Sequence, residues 1–359
     1  MNHALPRSAL VLTPKAHGAD GVSALTRLTA CSLSDAGIET RVLALEQDAR
    51  RDLSDGPLSV PVESANGGKL RFLLNGIKAS PRARRPELVV VTHLRMLPVA
   101  VPLMASGVPV ATFLLGVECW RPLSRRDRSL VSRSDRLLPI SQWTRDKFIA
   151  ANPSFAKSAM TVCPLGVDSS GLVDATPVPG RALVVGRLWA EERYKGHDLL
   201  VDIWPAVQRA CPNAHLVIVG DGDDRGRLEA RVRDAGLAHA IRFAGLVSQD
   251  ELRRHFAEAQ VFVLPSEGEG FGIVFLEAMR AGRPCIAARG AAEEIVLDGT
   301  TGRIIQSRNG EALTRALTQL LRDQQLCELM GRAGRRRLEE QFSAAKFSQR
   351  LLEALQQTQ

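Results

Sequence analysis

The strongest constraint on this chain is an alternation of strand and helix signals that runs its course and then begins again. Strand-like runs (SALVLT, TRVLAL, ELVVVTH, PVATFLL and RLLPI) punctuate the first half. Between them lie helix-like stretches. GVSALTRLTACSLSDAG stops at Gly37, and SQWTRDKFIA has Ser141 as its N-cap. Residues 168–180, DSSGLVDATPVPG, form the one long stretch rich in Pro, Gly and small polar residues. The series then restarts with RALVVG, HLVIVG, IRFAG, VFVLP, PCIAA, EEIVLDG and TGRII, and ends in a helical tail: ALTRALTQLLRD, then a segment over about 323–356. With 359 residues, more than one core usually serves, this predicts two α/β domains, each a doubly wound parallel sheet. The expected divisions are 1–167, a linker at 168–180, and 181–335. Ligands should bind at strand carboxyl ends.

Composition removes several function classes. The hydrophobic share of 45% is ordinary for a soluble protein, and no apolar run is long enough for a transmembrane helix. The N-terminus lacks a long apolar core and reads as a first strand, not a signal peptide. Six cysteines, without CxxC spacing, read as the reduced thiols of a cytoplasmic protein. Lys and Arg number 47 against 39 acids, a net charge of +8. The basic residues crowd into 69–85 and 121–136, fields that attract phosphates, nucleic acid or anionic lipid. Nucleic acid is disfavoured, since aromatics make up only 4% of the chain. A membrane-contact face and a plain solvated face both stay open. Leu70, Phe72, Leu73, Leu74 and Ile77 interleave with Lys69, Arg71 and Lys78, compatible with an interfacial helix.

The chemistry concentrates in the second half. In LVVGRLWAEERYKGHDLL, Gly186 ends a strand, Arg187 follows it, and Lys195 precedes a helix. A planar guanidinium and a point-charge ammonium together suit a diphosphate. Gly220 and Gly222 close the next strand; a lone GxG chiefly marks a tight turn. In RFAGLVSQDEL, the Leu246–Val247 loop could offer backbone hydrogen bonds to a nucleobase, with Ser248 capping the next helix. In SEGEGFGIVFLEAM, Gly268, Gly270 and Gly272 keep a turn open, beside Phe271, before a helix whose N-terminus favours negative charge. Glu269 and Glu277 flank that start. Eight helical steps would part them by about 12 Å, too far for the carboxylate pair of a retaining glycosidase at about 5 Å. The spacing suits one ligand held at two points, with Glu269 on sugar hydroxyls, Glu277 on a ribose diol and phosphates between. That ligand is a nucleotide sugar.

These segments, GRLWAEERYKGHDLL, HLVIVGDGDDRGRLE, IRFAGLVSQDEL and EGFGIVFLE, resemble the retaining GT-B glycosyltransferases of family 4, strongly over about 181–305 and more loosely over 1–167. The resemblance implies a GT-B fold of two Rossmann-like domains facing each other across a cleft. The second would bind the donor and the first the acceptor, with residues 336–359 crossing back to the first. It implies Arg187 and Lys195 on the diphosphate, Glu269 on the sugar and Glu277 on the ribose. Retention would proceed with the acceptor on the leaving-group face, the leaving oxygen taking the proton. No His/Asp/Glu cluster with metal-ligand spacing stands out, so neither a metal nor another cofactor is expected. Many members carry a histidine near the sugar where this chain has Leu114, Leu115 and Gly116. His93 or Glu118 could stand in, or be a loop residue and an arginine's partner respectively. The implied reaction moves a hexose from GDP-mannose or a UDP-hexose to a glycan or polyprenyl-linked acceptor. The protein would be cytoplasmic, with a peripheral hold on the inner membrane face. A small soluble acceptor, a nonhydrolysing epimerase, a pyridoxal-phosphate phosphorylase and a non-catalytic sugar-nucleotide binder remain as alternatives.

Overall fold

The computed structural model describes residues 5–18, 20–46, 58–78, 85–169 and 175–356. The chain divides into two units. One comprises Met1–Gly166 with Ala344–Gln359, the other Val167–Ser343. Part of the expected linker, 170–174, and part of the first basic run, 79–84, lie outside the described residues, as do the side chains of 69, 70 and 76–78.

The first unit runs β1 (Ser8–Lys15), α1 (Gly21–Asp35), β2 (Glu39–Glu46), β3 (Val62–Ser64), α2 (Lys69–Lys78), β4 (Leu88–Val91), α3 (Leu97–Ala105), β5 (Val110–Leu114), α4 (Arg125–Val131), β6 (Arg136–Pro139) and α5 (Gln142–Ala151). Its sheet is parallel, in the order β3-β2-β1-β4-β5-β6. All residues of β4 and β5 are buried, as expected of strands covered on both faces. Local chemistry sets the helix starts: the Ser141 hydroxyl accepts the Thr144 N–H at 3.0 Å, and Gly37 takes φ +78° just past α1. Helix α3 forms despite Pro98 and Pro102, with Leu97, Val99, Ala100 and Leu103 buried. Helix α2 exists, but Phe72 is only 2% exposed and belongs to the core, leaving Leu73 and Leu74 at 36% and 46% exposure.

The second unit runs β7 (Arg181–Val185), α6 (His197–Ala210), β8 (His215–Val219), α7 (Arg225–Asp234), β9 (Ile241–Gly245), α8 (Gln249–Glu258), β10 (Val261–Leu264), α9 (Ile273–Arg280), β11 (Cys285–Ala288), β12 (Gly302–Ile305), α10 (Gly310–Arg322) and α11 (Gln324–Gln341). Its strands are again parallel, in the order β12-β11-β10-β7-β8-β9. Counted from its own first strand, this is the order of the first unit. Both sheets therefore have a switch point beside their first strand, between β1 and β4 and between β7 and β10. The segment EEIVLDG is no regular strand; it carries the end of a 3-10 turn, Ala291–Glu294.

The tail differs from the single segment expected over 323–356. Helix α11 stops at Gln341, and α12 (Ala344–Gln356) belongs to the first unit. The break is pinned at Phe342, whose carbonyl accepts the Val167 N–H at 3.0 Å and whose ring packs edge-on to Phe271 at 6.0 Å. Position 336 thus lies inside a helix. In the first unit α12 packs on α1, and Phe347 stacks on Phe113 at 6.4 Å. No helix among the described residues is long and apolar enough to cross a membrane.

Candidate functional site

The second unit's switch point gathers the residues of interest. From β7 the chain passes through Gly186 and Arg187 into a 3-10 turn, Ala190–Lys195, then into α6. From β10 it passes through Pro265 and Ser266 to Glu269 and the start of α9. Parallel neighbours put both connections on one sheet edge. They are locked together by close approach. Gly196, at φ +82°, lies against Pro265, so a Cβ there would fall 2.9 Å from the Pro265 carbonyl oxygen. The Glu267 N–H donates to the Tyr194 carbonyl at 3.0 Å, and Arg308 Nε donates to both Glu267 oxygens at 3.0 and 3.1 Å.

Across this junction Lys195 Nζ donates to Glu269 Oε1 at 2.9 Å, with the two side chains 12% and 17% exposed. Burial works to discharge Lys195. The Glu269 carboxylate, by charge and by hydrogen bond, outweighs that and holds the ammonium's pKa above its usual range. The ammonium also lies 5.8 Å from the ring centre of Tyr194, the chain's one tyrosine. Arg187 is about half exposed and lies 5.2 Å from the centre of the Trp189 ring. It forks onto Glu192, its Nε donating to Oε2 at 3.1 Å and its Nη2 to Oε1.

Sequence reading missed what holds this turn. Asp224, 5% exposed at its side chain, accepts from Arg193 Nη2 at 2.7 Å and from Arg227 Nη2 at 2.6 Å. Arg227 also forks onto Asp198 of α6 at 2.7 and 2.8 Å. Hydrogen bonds from both guanidinium groups hold the Asp224 carboxyl far below the usual range, against its burial. Asp223 accepts the Ala190 N–H at 2.8 Å. The acid run after Gly222 is therefore a clamp on the cation-bearing turn; its clue was DGDD facing RYK. The glycines serve the same contact. A Cβ on Gly220, at φ +140°, would sit 1.9 Å from the Gly186 carbonyl oxygen, and one on Gly222 would sit 2.2 Å from that of Leu188. Also unforeseen is His197, 4% exposed at the start of α6. Its Nε2 has no hydrogen-bond partner among the described residues. Burial, helped by Lys195, lowers its pKa from 6.5 to about 4, so it is neutral at physiological pH.

Two further segments reach the same edge. Beyond β9, Leu246 is 50% exposed beside half-buried Val247, and Ser248 forms a capping box with Glu251. Helix α9 begins after Gly272 at φ +95°, so Gly270 and Phe271 lie in the loop. Glu277, half-buried, is the fifth residue of that helix. Only the latter part of the 269–277 step is helical.

His93, Gly116 and Glu118 belong to the first unit. His93 Nδ1 accepts the Arg95 N–H at 3.1 Å. Burial lowers its pKa, Glu118 opposes this and Arg95 adds to it. Glu118 Oε1 accepts the N–H groups of Leu115 and Gly116 at 2.8 and 3.1 Å, so backbone donors take the place expected for an arginine. All six cysteines are free, and burial pushes Cys163 and Cys327 up to about 12 and about 11. No cluster of three or more metal-ligating side chains occurs among the described residues.

Two parallel six-stranded sheets with this strand order make the fold that of the GT-B glycosyltransferases. A HepE protein of Anabaena solved with UDP-glucose superposes with a TM-score of 0.78 at 19% identity, over 97% of this chain and 99% of that one. Residues 179–323 match the family model for Glycosyl transferases group 1. Among curated relatives is a GDP-mannose-dependent alpha-(1-6)-phosphatidylinositol monomannoside mannosyltransferase of Mycolicibacterium smegmatis. It is 33% identical over 228 residues, 58% of each chain. A glycogen synthase of Mycobacterium tuberculosis is 33% identical over 220 residues, 59% of this chain and 52% of its own. The chain thus matches little more than half the length of these relatives.

Proposed function

We propose that the protein is a retaining glycosyltransferase that moves a hexose from a nucleotide sugar to a hydroxyl of a glycan or lipid-linked glycan. The carrying observation is the meeting of Lys195 and Glu269 at the switch point, beside Arg187. Under this proposal the charge pair would span the junction between the sugar and its diphosphate. In this reading Arg187, Lys195 and the start of α9 stabilise the charge that grows on the departing diphosphate. Glu269 orients sugar hydroxyls, Glu277 holds the ribose, and the Leu246–Val247 loop meets the base. The acceptor oxygen approaches the leaving-group face and passes its proton to the leaving phosphate oxygen. No protein base and no metal is then required, the two cations taking the metal's electrostatic part.

The name of the mycolicibacterial relative favours GDP-mannose and a membrane-borne acceptor; the Anabaena complex keeps a UDP-hexose in view. A hold on anionic membrane is supported by exposed Leu73 and Leu74 on α2 and by the exposed Arg125, Arg126 and Arg128 of α4. The deciding experiment offers GDP-mannose and UDP-glucose, with EDTA present, and follows nucleoside diphosphate release and the anomeric configuration of the product. Release of GDP with a retained linkage is expected. An inverted product, or turnover restored only by manganese, would overturn the mechanism.

A further inference from the structure

We infer that Glu192 is an internal competitor for the donor: its carboxylate fills the Arg187 fork that a phosphate of the donor would take, and donor binding requires an exchange. The inference rests on the nucleotide-sugar reading above. Its first support is geometric. The Arg187–Glu192 pair is bidentate, through Nε at 3.1 Å and through Nη2, the same two-pronged contact that guanidinium makes with phosphate.

The second support is charge. Arg187 and Lys195 carry two positive charges, and Glu192 and Glu269 two negative ones, all paired with each other. A diphosphate approaching this set finds each of the two cations already paired with a carboxylate. Glu269 has hydroxyls to receive it; Glu192 has no such task.

The third support is mechanical. Glu192 sits at a kink in the 190–195 turn, at φ −112° and ψ 24°, where two short helical turns meet. The next residue, Arg193, is tied to Asp224 at 2.7 Å, so the rest of the turn can hold while Glu192 rotates. Arg187 keeps its Trp189 ring at 5.2 Å, a contact that holds the guanidinium in place through the exchange. The side chains are 53% exposed for Arg187 and 11% for Glu192, so an incoming phosphate meets the guanidinium first.

The test is calorimetric titration of GDP, with UDP in parallel, into the wild-type chain, Glu192→Gln, Arg187→Ala and the double variant. Glu192→Gln is expected to bind the preferred nucleotide about three- to fivefold tighter, the scale of a partly exposed ion pair that no longer competes. In the Arg187→Ala background the gain should vanish. Glu192→Ala, checked for folding by its thermal melt, must show the same sign. Unchanged or weaker binding in both Glu192 variants, with the wild type still binding, would overturn the inference and leave the nucleotide reading standing; Glu192 would then be a support that holds Arg187 in position. A wild-type chain that binds neither nucleotide overturns the parent reading, and this one with it.

Discussion

The two units share one strand order and differ in what they place at the switch point. In the second, the connections after β7 and β10 bring a lysine and a carboxylate to 2.9 Å in a largely buried setting, braced by Asp224. In the first, the connection after β4 supplies His93, which accepts a backbone N–H, and the one after β5 supplies Glu118, which accepts two. The first unit's ion pair near its strand ends, Lys15 with Glu46 at 3.8 Å, is open to solvent and worth little. Among the described residues, the same topology thus places a buried charge pair in one unit's connections and side chains satisfied by backbone N–H groups in the other's. Topology fixes where a site can form, and the residues of the loops decide whether one does.

The hardest break of this contrast is Lys195→Ala. If the ammonium meets charge that develops on the leaving diphosphate, its removal should cost about 2–4 kcal/mol in kcat/KM, the scale of a lost oxyanion donor. The alanine variant also leaves Glu269 without its partner, so the melt must be recorded alongside. A folded variant with unchanged turnover would remove the second unit's claim to the chemistry.

A middle-sized effect comes from His197. Its folded pKa, about 4, lies below the ordinary 6.5, so the native state resists protonation. The stability this group lends is complete above about pH 6.5 and is lost as pH falls from there towards 4, because the unfolded chain takes up the proton first. The slope is at most about 1.4 kcal/mol per pH unit for one such group. Chemical denaturation at pH 7 and pH 5 should show the loss in the wild type and a smaller one in His197→Asn. Equal losses would mean that the imidazole is already charged or already wet in the native state.

Legibility followed the range of the forces involved. The strand runs other than EEIVLDG, the Ser141 and Ser248 caps and the glycine at the end of α1 are local signals, and each stands where the sequence put it. The family resemblance over 181–305 was equally local, carried by short motifs at strand ends. Helix α3 was hidden by its prolines, since local propensity argues against a helix that tertiary burial then enforces. The division of the tail at Phe342 depends on Val167 and Phe271, far away in sequence. The Asp224 clamp, the Glu192 fork and the burial of His197 depend on which loops meet, and a single chain's spacing does not state that. Phe72 shows the opposite error: an amphipathic pattern read as a membrane face is partly the face a helix turns to its own core.

The smallest effect sharpens the first unit's side of the contrast. Glu118 is a rival for a functional role because it lies two residues past Gly116 and its charge is felt at His93. The structure gives its Oε1 to two backbone donors. Glu118→Gln keeps an acceptor oxygen there and should leave both stability and transfer close to wild type. Glu118→Ala removes it and orphans the two N–H groups, at a cost of about 1 kcal/mol in a site that water can partly reach. Paired urea melts and transfer assays separate the outcomes. If Glu118→Gln lost transfer at an unchanged melt, the charge itself would be in use, and the first unit's loop would have to be counted with the chemistry. If only the alanine variant moved, and only in stability, Glu118 is a loop cap. The carboxylates that answer to the donor would then all belong to the second unit.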